Sequence, residues 1–430
     1  MRNILILGAG KSSIVLIDYL VKHAVEQQWE VTVADISAEL ALQKTKGRKH
    51  THAIAFNFND KPGRRALIKA ADIVISMLPA TMHITLAQDC LALKKNLVTP
   101  SYISDAMRAL NKEVKAKGLV FMNEMGLDPG IDHMSAMQMI HRLKKEGKVV
   151  TGFKSHCGGL VAPENDDNPW HYKFSWNPRN VILAGQGDGH IQYLENGKKV
   201  QLTYEKLFAT TSPIKLKGWG KFESYPNRDS LKYVKEYGLQ SAKTVYRGTL
   251  RRPPYCVGWQ ALVQLGFTNK NERNTTEFKA EVDALLKSKK VAASKAVRQL
   301  IDATGVMDAL AKHKAGTIVP AELLQSVLEV KWALKPNDKD LVVMVHEIEY
   351  ADKNGRNKKT VEASLVCVGA DPERTAMATT VGLPVAIVTK MILNGQVKRH
   401  GVLMPKYPEI YNPVLSELEN YGIKFKEKVV

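Results

Sequence analysis

Asn3-Ile4-Leu5-Ile6-Leu7-Gly8-Ala9-Gly10-Lys11-Ser12-Ser13-Ile14-Val15-Leu16-Ile17-Asp18-Tyr19-Leu20 reads as a buried strand, a glycine turn and a helix in direct succession. The unbroken apolar run Ile4 to Leu7 suits a strand covered on both faces, as in a parallel sheet. From Ile14 to Leu20 the apolar spacing is helical. This is the context of a dinucleotide fingerprint, with small Ser13 where the third glycine would stand. The first glycine makes the turn, the second lets the backbone approach a pyrophosphate, and the helix N-terminus supplies N–H donors. Gly10-Lys11-Ser12 also mimics the end of an ATPase phosphate loop, but the earlier glycine that motif needs falls at Leu5. Spacing excludes it.

Working outward, Val31 to Ala34, Ala53 to Phe56, Asp72 to Ser76, Asn96 to Thr99 and Leu119 to Met122 read as further strands separated by helical patterns. Strands alternating with helices predict a Rossmann-like doubly wound sheet. Asp35 ends the second strand, where a carboxylate binds the ribose 2′-OH of NAD and repels the 2′-phosphate of NADP. Its competing role is to cap the next helix. Ile36 and Ser37 follow with no arginine, while Lys44, Lys46 and Arg48 lie farther along. NAD is favoured, and NADP stays open.

Beyond residue 149 the pattern changes to longer β-prone stretches at Val149 to Cys157, Val181 to Ala184, Thr244 to Leu250, Leu341 to Tyr350 and Thr360 to Val368. They predict a second, mixed or antiparallel sheet. Residues 257 to 335 have helical spacing and read as a helical insertion, and Glu373 to Leu393 predicts another helix. The densest polar stretch is Asn123 to His133, following a strand and preceding a helical pattern. Asp128 with Pro129 behind it matches a helix N-cap with proline at N1. Catalysis is compatible with that position, because strand ends of an open sheet form the ligand crevice. His156-Cys157-Gly158-Gly159 and Tyr225 to Ser230 are further polar clusters. Arg228 offers a planar fork for a carboxylate, and Arg247, Arg251 and Arg252 raise the same question.

The chain has 430 residues, 62 Lys+Arg against 43 Asp+Glu, a net charge of +19 and four cysteines. That length implies two or three domains at about 100 to 200 residues each, and the composition excludes a disulfide-rich module or a disordered tail. The charge points to an anionic partner without choosing between nucleic acid, membrane and small molecules. Cys90, Cys157, Cys256 and Cys367 form no CxxC pair, so no zinc site or disulfide framework is indicated and a cytoplasmic location is expected. No membrane partner is expected, since no apolar run approaches the roughly 20 residues of a span. The basic runs Lys287 to Arg298 and Lys353 to Lys359 carry no aromatic residue, against the interleaving of a single-strand nucleic-acid binder.

Taken together, the Gly8 to Ser13 loop, Val98 to Ser104, Asn123 to His133, Cys157-Gly158-Gly159, Tyr172 to Trp176, Tyr225 to Ser230 and Arg247 to Arg251 resemble saccharopine dehydrogenases of the L-glutamate-forming type. The resemblance implies a dinucleotide-binding domain at 1–125 and 375–430, a mixed α+β substrate-binding and dimerisation domain at 126–255 and 337–374, and a helical insertion at 256–336. It implies a homodimer, and oxidation of the secondary amine of saccharopine to an imine that water splits into glutamate and 2-aminoadipate 6-semialdehyde. By motif match the cofactor touches Gly8, Gly10, Lys11, Ser12, Ser13, Asp35, Ile36, Asn57, Leu78, Thr99, Pro100, Leu127 and Asn177. The substrate touches Ser101, Tyr102, Asp128, Arg228, Thr249, Leu250 and Arg251.

Departures from the family pattern are Asp35-Ile36, where fungal members carry an arginine for the NADP phosphate, Pro100 in place of a small polar residue, and His156 in place of an aromatic. Breaking a carbon–hydrogen bond next to nitrogen requires an acid/base group. Asp128 ranks first, followed by Cys157, Tyr102 and His133. Arg228 and Arg251 suit the carboxylates of saccharopine. The rivals are a related imine-reducing enzyme for a polyamine, such as a carboxynorspermidine dehydrogenase, and a non-catalytic binding protein on the same fold. A cationic polyamine calls for an acidic pocket rather than these arginines.

Overall fold

The computed structural model describes residues 1–187, 190–288 and 290–430; Lys289, inside the basic run at 287–298, lies outside the described residues. The chain divides into two compact units, Met1–Arg142 with Glu373–Phe425, and Leu143–Pro372 with Lys426–Val430.

The first unit is built on a parallel sheet. Its strands are β1 (Arg2–Leu7), β2 (Trp29–Asp35), β3 (Thr51–Ala55), β4 (Ile73–Ser76), β5 (Asn96–Val98) and β6 (Val120–Met122). They lie in the order β6-β5-β4-β1-β2-β3, with the late strand Gly401–Leu403 beside β6. β1 is central: Ile4 pairs with Val31 on one side and Ile73 on the other, and Ile4 to Leu7 are buried. Between β1 and β4 the strand order reverses, and the crevice beyond their carboxyl ends is where open α/β sheets hold ligands. Helix α1 (Ile14–Lys22) follows β1 through a short 3-10 turn. The helix Ala376–Leu393 packs on it so closely that a Cβ at Gly382 would stand 2.8 Å from the Leu16 nitrogen. Despite the expectation that no segment reaches span length, this helix is long and apolar enough to cross a membrane by composition, with 78% of its apolar window buried inside the protein.

The first unit runs on to Arg142 instead of ending at 125, because the helix Ile131–Lys145 joins its core. Met134, Met137 and Ile140 are buried, and His141 Nδ1 lies 2.8 Å from the Tyr411 hydroxyl on the helix Pro408–Glu419. Likewise the last residues leave this unit: Lys426–Val429 forms an antiparallel edge strand on Lys359–Val368.

The second unit is a mixed sheet. Lys148–Val161 runs parallel to Thr244–Arg251 and antiparallel to Asp340–Asp352, with Gly220–Pro226 and Ser212–Leu216 outward on one side and Lys359–Val368 on the other. The hairpin Ile191–Glu195 with Lys198–Leu202 is attached to Thr244–Arg251. Val181 to Ala184, β-prone by composition, instead lies on and just after the helix Pro178–Ile182, which has proline in its first turn and Asn177 as its cap. The helical stretch does not stand apart from the sheet unit. Its helices, including Tyr255–Gln264, Lys295–Thr304 and Pro320–Lys331, share one core with Trp170, Tyr172, Phe174, Val181 and Ile182. Aromatic burial accounts for this, since Trp170, Tyr172 and Phe174 bring large apolar areas that these helices help to cover.

Candidate active site

The glycine turn has the geometry its sequence implies. Gly8 sits at φ +103°, and a Cβ there would stand 2.9 Å from the Met77 carbonyl oxygen, so the close pass of β1 and β4 excludes any side chain. Gly10 is exposed, and a Cβ there would meet nothing within 4 Å. It caps the turn Lys11–Ser13 without any side-chain bond to the N–H groups. Open space beside backbone donors fits a pyrophosphate. Ser13 is buried and its hydroxyl donates to the Gly10 carbonyl at 2.8 Å, closing the turn from inside; Lys11 is exposed and Ser12 half-buried.

Asp35 braces this loop from the end of β2. Its Oδ2 accepts from the Ala9 N–H at 2.7 Å and its Oδ1 from the Ser37 N–H at 2.9 Å. The capping role falls to Ser37, whose hydroxyl accepts from the Leu40 N–H. Ile36 is 80% exposed. Arg48 is already engaged: Nη1 donates to Asp18 at 2.7 Å, and Nε and Nη2 donate to the Thr45 and Lys44 carbonyls. Asn57 accepts from the Asn59 N–H in a surface turn, and Leu78 follows β4 half-buried.

Past the carboxyl ends of β5 and β6, two segments clasp each other. Glu124 N–H donates to the Ser101 carbonyl at 3.0 Å, Ile103 N–H to Glu124 Oε1 at 2.9 Å, and Met125 N–H to the Thr99 carbonyl at 3.3 Å. This holds Thr99, Pro100, Ser101 and Tyr102 beside Leu127 and Asp128. The Tyr102 hydroxyl donates to Asp128 Oδ1 at 2.7 Å, with both side chains half-buried. Asp128 stands three residues before the helix, outside its N-cap position. The helix begins at Ile131, Pro129 precedes it on a cis bond, and the Gly130 N–H donates to Asp132. His133, fully buried, has Nε2 2.7 Å from Glu124 Oε2. Its ring belongs to the clasp.

Within the second unit, Cys157 is buried in register with Thr249 and Met344 in the sheet. His156 beside it is buried, with Nδ1 2.8 Å from the Ser224 hydroxyl; burial pushes its pKa down to about 3, and the ring is neutral. Arg228 is exposed, while Arg247 is buried with its guanidinium over the Tyr233 ring. Arg251 is buried among the rings of Tyr172, Tyr255 and Tyr225, at 4.9, 5.0 and 5.8 Å from their centroids. Nη1 donates to the Leu250 carbonyl, and Nε is buried with no hydrogen-bond partner among the described residues. Burial raises the tyrosine pKa values, that of Tyr225 to about 12, so the cage is neutral and supplies no counter-charge. Thr249 is half-buried and Leu250 fully buried. Asn177, expected at the cofactor, caps its short helix, its side chain accepting from the Asn180 N–H. Among the described residues no group of three or more His, Cys, Asp or Glu could hold a metal.

Comparison with known proteins fits both units. The family model "Saccharopine dehydrogenase NADP binding domain" matches residues 4–122, and "Saccharopine dehydrogenase C-terminal domain" matches 126–423. This chain belongs to the saccharopine dehydrogenase family. It is 35% identical over 454 residues to saccharopine dehydrogenase [NADP(+), L-glutamate-forming] of Saccharomyces cerevisiae, covering 100% of this chain and 99% of that protein. It is 34% identical over 478 residues to the alpha-aminoadipic semialdehyde synthase of Arabidopsis thaliana, where 99% of this chain spans 45% of the plant protein. The solved structure of apo saccharopine dehydrogenase (L-Glu forming) from Saccharomyces cerevisiae matches with a TM-score of 0.85 at 33% identity, covering 100% of both chains.

Against that family frame, the structure also brings forward residues that the sequence left without a role. His83, at the start of the helix His83–Ala92, reaches both Ser76 and Ser101. Glu124 clasps the Ser101–Ile103 segment. The available signal was position: Ser76 ends β4 at the carboxyl edge of the parallel sheet, where open α/β sheets hold ligands and polar side chains merit a role.

Proposed function

We propose that this chain is an L-glutamate-forming saccharopine dehydrogenase, interconverting saccharopine with 2-aminoadipate 6-semialdehyde and glutamate. The observation that carries the reading is the Tyr102–Asp128 pair, 2.7 Å apart beyond the carboxyl ends of the parallel sheet that bears the glycine turn. A bound nicotinamide dinucleotide supplies the hydride acceptor or donor; Gly8, Gly10, Ser12 and Asp35 are the residues to hold it. Asp128 takes the proton that the secondary amine must lose and later returns one during imine hydrolysis. Tyr102 keeps that carboxylate oriented through its hydroxyl. Arg228 and Arg251 receive substrate carboxylates. For Arg251 the support is a buried guanidinium among three tyrosine rings whose Nε has no hydrogen-bond partner among the described residues.

For the cofactor, we infer a preference for NAD, although the yeast relative is named for NADP(+). Asp35 ends β2 beside the glycine turn, where a carboxylate suits a ribose hydroxyl and repels a 2′-phosphate; Ile36 offers no donor to that phosphate, and Arg48 is tied to Asp18. A homodimer and cytoplasmic residence belong to the same reading. The test is the appearance of reduced-nicotinamide absorbance on adding saccharopine with NAD or NADP. Reduction of NAD with a higher kcat/KM than NADP supports both parts. No reduction of either removes the activity, and a strong NADP preference removes only the cofactor inference.

A further inference from the structure

We propose that His83 is a positioning residue that makes the Ser101 hydroxyl a hydrogen-bond donor to a substrate carboxylate. The inference rests on the reading of Ser101 as a substrate contact. His83 is 5% exposed and bridges two hydroxyls: Nδ1 lies 2.8 Å from Ser76 Oγ and Nε2 2.7 Å from Ser101 Oγ, with Thr99 Oγ1 at 3.4 Å from Nε2. Burial alone pushes its pKa down to about 4, so near neutral pH the ring carries a single N–H.

The position of that hydrogen decides what Ser101 can offer. With hydrogen on Nδ1, Nε2 draws the Ser101 hydrogen inward and only lone pairs face a ligand, which a carboxylate avoids. With hydrogen on Nε2, the Ser76 hydroxyl donates to Nδ1, Nε2–H donates to Ser101 Oγ, and the Ser101 hydrogen turns outward to an anionic oxygen. An anionic ligand selects the second arrangement. The Ser101 carbonyl accepts from the Glu124 N–H and the neighbouring Thr99 carbonyl from the Met125 N–H, so the loop keeps main-chain bonds to a second segment when the imidazole is removed.

The test is steady-state kinetics of the full-length protein and its His83→Ala, Ser101→Ala and double variants. A hydrogen bond to a charged group is at stake, so His83→Ala is expected to raise KM for saccharopine on the order of tenfold, with cofactor KM and kcat changed about twofold or less. In the Ser101→Ala background the same change adds little, because the two residues act as one. His83→Gln, whose amide can accept from Ser76 and donate to Ser101, restores much of the loss. An equal KM rise with and without Ser101, or no rise, overturns the assignment. If His83→Ala does not fold, Ser76→Ala carries the test: loss of the tautomer-setting donor raises saccharopine KM alone, and an unchanged KM overturns the proposal. Wild-type protein that turns over no saccharopine fails the functional reading itself and the His83 assignment with it; an active wild type with an indifferent His83 fails this inference only.

Discussion

Asp128 and Tyr102 show how a residue's neighbours decide its chemistry. From sequence, Asp128-Pro129 before a helix has the spelling of a cap, and a cap would tie the carboxylate to backbone N–H groups. The helix starts later, at Ile131, and the carboxylate accepts from the Tyr102 hydroxyl. If Asp128 is the acid/base group, Asp128→Asn lowers kcat by about a hundredfold or more, since an amide cannot take the amine proton. Tyr102→Phe removes only an orienting hydrogen bond, and about tenfold is expected. Stopped-flow measurement of nicotinamide reduction separates these from slow product release, and an Asp128→Asn enzyme with wild-type rate sinks the role. Asp128 was legible because polar residues at a strand end stand out. His83 was not, because its importance lies in the spacing to two hydroxyls that sequence does not reveal.

At the scale of elements, legibility followed burial. Ile4 to Leu7 of β1 and Ile73 to Ile75 of β4, apolar and buried, are spelled out by composition. The strands between residues 191 and 226 were not read, since they are short and largely polar, as in Lys198–Leu202, where no residue is buried. The helical stretch was readable as helix but not as part of the sheet unit, because shared aromatic packing has no periodic signature. Trp332 tests that packing. It is buried with ring centroids 5.5 Å from Trp170, 5.4 Å from Tyr172 and 5.4 Å from Phe174. Trp332→Ala should destabilise the second unit by about 3–5 kcal/mol, read as a lower denaturation midpoint at unchanged slope. A loss below about 1 kcal/mol would mean the helices do not share a core with Tyr172 and Phe174.

For the molecule as a whole, the question is what a net charge of +19 does. Charge of this kind on exposed side chains, such as Lys295 and Lys353, is screened within about 10 Å at ordinary ionic strength and specifies no ligand. Of the candidate anchors, Arg251 behaves differently: it is buried, and a charge withdrawn from water is screened far less. The diffuse field should therefore speed the approach of anionic ligands while the anchors hold them once bound. Raising potassium chloride from about 0.05 to 0.5 M should lower kcat/KM for saccharopine several-fold and leave kcat nearly unchanged. Substituting exposed lysines such as Lys295 and Lys353 together should reduce the salt slope without changing kcat. A flat salt profile would mean that the surplus charge plays no part in ligand capture. A parallel fall in kcat would place the sensitivity in the chemical step, where this reading allows none.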